Sequence, residues 1–148
     1  WLRGKCGMQE VLSYLGAQVA GAVVAALLVG FCKRGSVITA MQPAALPALL
    51  VEFVFTFALA YVVLNVATAK KTAGNSYFGI AIGWTVMAAA YAGGNISGGA
   101  FNPAVAIGIT LMGLSAAGNL WVFLVGNLAG GALAALIFRL TAPHDELT

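Results

Sequence analysis

From Val11 to Cys32 the chain runs without one charged side chain. A helix needs about 20 predominantly apolar residues to cross the hydrocarbon core of a bilayer. Three more stretches reach or approach that length: Ala48 to Thr68, Tyr77 to Gly94 and Leu120 to Leu140. Polar breaks separate them, namely Lys33-Arg34-Gly35, a segment holding Pro43 and Pro47, and Lys70-Lys71 with the turn "TAGNS"; the last ends at Arg139 and a polar tail. Only 7% of the 148 residues are charged and 61% are hydrophobic. Soluble domains carry roughly 25% charged residues, so this chain cannot cover a water-facing surface. The sequence predicts a single all-α, multi-pass membrane domain over residues 1–148, in contact with lipid.

The same composition removes several function classes. A net charge of +3, from seven Lys/Arg against four Asp/Glu, is a topology signal and not a nucleic-acid footprint. His144 is the only histidine, and no spacing of His, Cys, Asp or Glu fits a metal site. No nucleophile–base pairing or phosphate loop is present, so no enzyme, cofactor or metal is expected. Cys6 and Cys32 would sit about 39 Å apart on one helix, too far for a disulfide. Both ends and the Lys70–Lys71 turn share one side when four spans are complete. Arg3, Lys5, Lys70, Lys71 and Arg139 then oppose Lys33 and Arg34, which favours cytoplasmic ends.

The stretch "NISGGAFNPAVAIG", Asn95 to Gly108, breaks the apolar pattern. Its apolar segment from Pro103 to Met112 is too short to cross and fits a re-entrant half-helix. Proline suits a first helical position, where its missing N–H is no loss. Asn102 is the matching cap, its side-chain oxygen accepting from the N–H of Ala104 or Val105. That bond orients the amide and leaves its NH₂ as a donor. A loop at membrane depth must be buried in protein or line a water-filled cavity. Gly98, Gly99, Ala100 and Phe101 therefore offer a row of carbonyl acceptors, followed by one fixed donor at the positive end of a short helix. Such an array suits a polar, uncharged guest and opposes cations. A capped interfacial helix after an ordinary loop is the plainer alternative. The Asn95-Ile96-Ser97 glycosylation pattern carries little weight beside it.

Glu52 lies inside a span, where a carboxylate costs about 2.5–3.5 kcal/mol on insertion scales and must find partners. With no second intramembrane acid or base to relay protons, it reads as an acceptor bracing loop N–H groups. Gln18 and Asn127 read as interhelical or loop-bracing amides. They also match in a weak internal repeat of Tyr14–Leu28 and Phe123–Ile137. Its identities are Leu15/Leu124, Ala20/Ala129, Gly21/Gly130, Ala25/Ala134, Ala26/Ala135 and Leu27/Leu136. A duplicated membrane protein produces such a pattern; chance alignment of alanine-rich helices is the alternative. Small residues four apart, at Ala17/Gly21, Gly79/Gly83 and Gly126/Gly130, predict close helix packing.

Taken together, "SGGAFNPAV", "VEFVFTF", "GIAIG", "YLGAQVAGA" and "WVFLVGNLAGG" resemble the aquaporins of the major intrinsic protein family over nearly the whole chain. The resemblance implies a six-span bundle with two Asn-Pro-Ala half-helices meeting at the midplane. Only one such motif is present, Asn102-Pro103-Ala104, and the span with "AQVAGA" that precedes the Glu52 span resembles the family's third. The chain thus looks like spans three to six, a fragment without the first two spans and first motif. The resemblance also implies a plasma or inner membrane location and a homotetramer.

It further implies that Asn102 donates to the passing molecule, that Gly98 to Phe101 bear the lining carbonyls, and that Glu52 braces them. The narrow filter would draw Ala90, Gly99 and Val105 from this half. The usual aquaporin has arginine where this chain has Val105, and water-selective members often have histidine where it has Ala90. The aspartate that follows arginine in glycerol channels is replaced by Ala106. The leading expectation is a passive channel for water and small neutral, glycerol-like solutes with a wide filter. A secondary transporter and a non-conducting junction or scaffold protein of the same fold are the alternatives.

Overall fold

The computed structural model describes residues 1–142; His144 and the tail beyond Arg139 fall outside that range from residue 143 on. Five α-helices follow one another: α1 Met8–Cys32, α2 Ala45–Val63, α3 Phe78–Ser97, α4 Pro103–Leu111 and α5 Leu120–Thr141. Three of the helices are long and apolar enough to cross a membrane: α1, α2 with its extension to Thr68, and α5 with the turn before it. Helix α3 has the length at 20 residues, but its glycines, Tyr91 and Asn95 dilute its apolar character. The expected all-α membrane architecture with one half-length helix is the observed one.

Boundaries differ from the sequence expectation for local reasons. Helix α1 starts at Met8 and not Val11, because the Glu10 side chain reaches back to the N–H of Gly7 at 2.6 Å, closing the first turn. Helix α2 starts at Ala45, so Pro47 lies within its first turn instead of in the preceding loop. Proline is tolerated there, since first-turn N–H groups have no intrahelical acceptor. Past Val63 the helix widens into a single π turn, Leu64–Thr68. Asn75 then donates to the carbonyls of Val66 and Thr72 at 2.7 and 2.6 Å, folding the Lys70–Lys71 turn back onto that end. Helix α3 continues to Ser97 and stops at Gly98, whose φ of +100° is left-handed. The Asn95-Ile96-Ser97 triplet is therefore helical.

Packing centres on the α2–α5 pair, with α3 against α2 and α4 between α1 and α5. The small-residue pairs predicted from sequence divide. A Cβ on Gly126 would sit 3.0 Å from the Cβ of Glu52, and one on Gly130 would meet the Phe53 carbonyl oxygen at 2.5 Å. Glycine at both positions is what lets α5 lie on the α2 backbone. Gly21, Gly79 and Gly83 have nothing within 4 Å of a notional Cβ, so the expected close packing is not seen there among the described residues. The two amides divide in the same way. Asn127 is buried and its Oδ1 accepts from Thr56 Oγ1 at 2.8 Å across the α2–α5 seam. Gln18 is exposed on α1 and braces neither a helix nor the loop. Helix α1 has only Ala26 buried. Its repeat partner α5 has the long helix α2 to pack on, whereas α1 packs mainly on the short α4 among the described residues. Cys6 and Cys32, at opposite ends of α1, are free.

The segment between α1 and α2 is a strap and not a slack connection. Residue Met41 pairs with Ser115 in an isolated parallel bridge. Its N–H donates to the Leu114 carbonyl at 2.9 Å, and its carbonyl accepts from Asn119 Nδ2 at 3.4 Å. The strap is thereby fastened to the connection between α4 and α5.

Candidate functional site

The centre of the bundle is the turn from α3 into α4, and its shape follows from three left-handed residues. Gly98, Gly99 and Phe101 have φ of +100°, +67° and +48°. Glycine takes such angles without steric cost. A Cβ on Gly99 would also press on the Gly94 Cα at 3.3 Å and the Phe101 ring at 3.4 Å. Phe101 has no such freedom, and a left-handed L-residue costs roughly 1–2 kcal/mol. The conformation is held from both sides. Its N–H donates to Glu52 Oε2 at 2.7 Å. Its buried ring stands edge-on to Phe55, with centroids 5.6 Å apart.

Glu52 is fully buried near the middle of α2 and both its oxygens act as acceptors. Oε1 takes the Ser97 hydroxyl at 2.7 Å and the Ala100 N–H at 3.0 Å, while Oε2 takes the Phe101 N–H. Ser97 passes the bracing on, since its Oγ accepts from the Gly99 N–H at 3.0 Å. One carboxylate therefore fixes three consecutive loop N–H groups, two directly and one through a serine. A buried polar group in an apolar span is tolerable only when bonded in this way. The bracing role of Ser97 has little sequence signal beyond its position one residue before the Gly98-Gly99 turn.

With the loop N–H groups turned toward Glu52, no hydrogen bond among the described residues ends on the carbonyls of Gly98 to Phe101. Asn102 follows in extended conformation and caps α4, its Oδ1 accepting from the Ala104 N–H at 2.7 Å. Pro103 takes the first helical position. The Asn102 Nδ2 is left without a partner among the described residues, at the positive end of a nine-residue helix.

Asn102, Ala104 and Val105 line a cleft of about 480 Å³ between α4 and α1, with Gln18, Gly21 and Ala22 on its far wall. Val105 is 45% exposed, so its side chain faces open space and not the core. Ala104 itself is buried, as are Ala100 and Phe101, while Gly99 is half-buried and Gly98 exposed. Ala90 is exposed on α3, next to the buried Ala89; it is not part of this cleft. The structure thus brings together Glu52, Gly98–Phe101, Asn102 and Val105, and leaves Ala90 apart on the surface of α3. Among the described residues no group of His, Cys, Asp and Glu could hold a metal ion.

The major intrinsic protein family matches this chain over residues 1–138, which takes in Glu52, the turn from α3 into α4 and the cleft. The chain belongs to that family. It is 42% identical to the aquaporin TIP2-1 of Zea mays over 84% of its length. It is 35% identical over 97% of its length to both the aquaporin TIP1-2 of Zea mays and the aquaporin NIP1-4 of Oryza sativa. These matches span 51%, 60% and 54% of the relatives' own lengths. The chain therefore corresponds to between half and three-fifths of each, and it is an integral membrane protein.

Proposed function

We propose that this chain supplies one half of a passive transmembrane channel for water and small neutral solutes. The observation that carries the reading is the Asn102 amide. It is fixed by its own cap, lines a cleft, and is preceded by four carbonyls free of hydrogen bonds among the described residues, in a turn where Glu52 and Ser97 hold the N–H groups of Gly99, Ala100 and Phe101. A donor after a file of acceptors replaces the hydration of a guest that carries no charge, and the positive helix end beside it disfavours cations. Val105 brings neither a cation nor a hydrogen-bonding group to that cleft, whose polar side chains are the Asn102 and Gln18 amides. The filter is accordingly wide, with Gly99 as a further contribution from the turn, so that glycerol and urea pass along with water.

The wild-type full-length protein operates in a plasma or inner membrane, with the ends of this chain cytoplasmic by the balance of Lys and Arg. It assembles as a tetramer, as the aquaporin resemblance implies. Stopped-flow swelling of vesicles holding that protein tests the reading. Fast water, glycerol and urea entry is expected. Fast water entry with glycerol and urea excluded contradicts the wide filter, and saturable, ion-dependent uptake points to a transporter.

A further inference from the structure

We infer that Met41 is a positioning residue for the glycine turn: the strap between α1 and α2 forms an outer brace that opposes the inner brace of Glu52. The inference rests on the channel reading for its consequence, but not for its geometry. Met41 is 57 positions from Gly98 in sequence, and its Sδ lies 3.7 Å from the point where a Gly98 Cβ would be. Phe123 and Ile109 complete that contact shell at 3.9 and 4.0 Å.

Two features make this more than a chance touch. Met41 is fastened through its backbone on both sides, by its N–H to Leu114 and by its carbonyl to Asn119. Its thioether is thereby delivered to Gly98 by the same connection that ends α4. Three residues earlier in the strap, Ile38 Cγ2 lies 3.7 Å from the notional Cβ of Gly113, so the strap also touches the residue just past the end of α4.

The bonding around the turn shows why a second brace matters. Glu52 and Ser97 hold the N–H groups of Gly99, Ala100 and Phe101. Gly98 receives none of that bracing, as its N–H is spent on the Gly94 carbonyl at 2.9 Å. Its φ of +100° has no side chain to hold it. The Gly98 carbonyl opens the file of acceptors, so its orientation depends on what packs over the residue. Met41 supplies that packing, with a flexible, polarisable side chain suited to filling an irregular gap.

The test replaces Met41 in the full-length protein by Ala, which removes the contact, and by Leu, which keeps its volume. Two readouts are taken in the same vesicles: amide hydrogen exchange across residues 98–101, and the ratio of glycerol to water permeability. We expect Met41→Ala to speed exchange and to change the permeability ratio by about threefold or more, in keeping with couplings carried through packed side chains. Met41→Leu should restore both. Unchanged exchange in Met41→Ala overturns the brace. Faster exchange with an unchanged ratio overturns the positioning role and leaves Met41 purely structural. If the wild-type protein conducts neither solute, the channel reading has failed, and the exchange readout still decides the brace.

Discussion

Replacing Glu52 by glutamine is the sharpest perturbation of the turn, because it keeps the shape and changes one acceptor into a donor. The carboxylate accepts from Ser97 Oγ, the Ala100 N–H and the Phe101 N–H at 2.7, 3.0 and 2.7 Å. The glutamine oxygen can keep the first two, which share Oε1. Its NH₂ then faces the Phe101 N–H, donor against donor. One bond to a carboxylate, worth about 1.5–3 kcal/mol, is lost. The bond opposes the roughly 1–2 kcal/mol that Phe101 spends in its left-handed conformation. Without it Phe101 relaxes toward negative φ and the turn opens. At a factor of ten per 1.4 kcal/mol, local protection of the Ala100 and Phe101 amides should fall by roughly 10- to 100-fold. Hydrogen exchange on the full-length protein in vesicles, resolved to this segment, measures it. Exchange at Phe101 equal to wild type in Glu52→Gln would falsify the claim that the carboxylate holds the turn.

Further predictions follow from the same contacts. Gly130→Ala places a Cβ within 2.5 Å of the Phe53 carbonyl oxygen and should cost about 1–3 kcal/mol by overpacking, read as a lower Tm in detergent. Gly79→Ala meets nothing within 4 Å and should stay within about 0.5 kcal/mol of wild type or gain slightly from helix propensity. Thr56→Val strands the buried Asn127 amide, whose Nδ2 already lacks a partner, and should cost about 1–3 kcal/mol. The double variant Thr56→Val/Asn127→Leu should recover most of that loss, and a cycle without such coupling would refute the buried bond. Val105→Arg introduces a long cation into the cleft beside Asn102 and should cut glycerol flux much more than water flux; equal losses of both would show that Val105 does not line the path.

Much of this arrangement is legible in the sequence where the physics is local. Asn-Pro before an apolar run fits a capped helix start, and a ten-residue apolar segment cannot cross a bilayer, so α4 follows from local pattern and length. Glu52 is legible for a different reason: an acid within an apolar span must find donors, and the nearest unpaired N–H groups belong to a glycine-rich loop. What depends on a partner element is less visible. The three small-residue pairs look alike in sequence, yet only Gly126/Gly130 has a helix backbone lying on it, because α2 packs on that face of α5, whereas α4 meets α1 at Ala22 and not at Gly21. Gln18 fails to repeat the role of Asn127 for the same cause. Met41 carries no sequence signal, since a contact made across 57 positions by an ordinary thioether has neither period nor motif. Pro47 sits in the first turn of α2 and not in the loop before it, and its sequence does not distinguish the two because proline suits both.

The central claim is that the capped Asn102 amide serves a conducting path. Water permeability of vesicles containing the full-length protein, wild type against Asn102→Leu, tests it most directly. We predict osmotic shrinkage far faster than in protein-free vesicles for wild type, and a large loss in the variant at equal protein content. Wild-type vesicles that shrink no faster than protein-free ones would contradict the account.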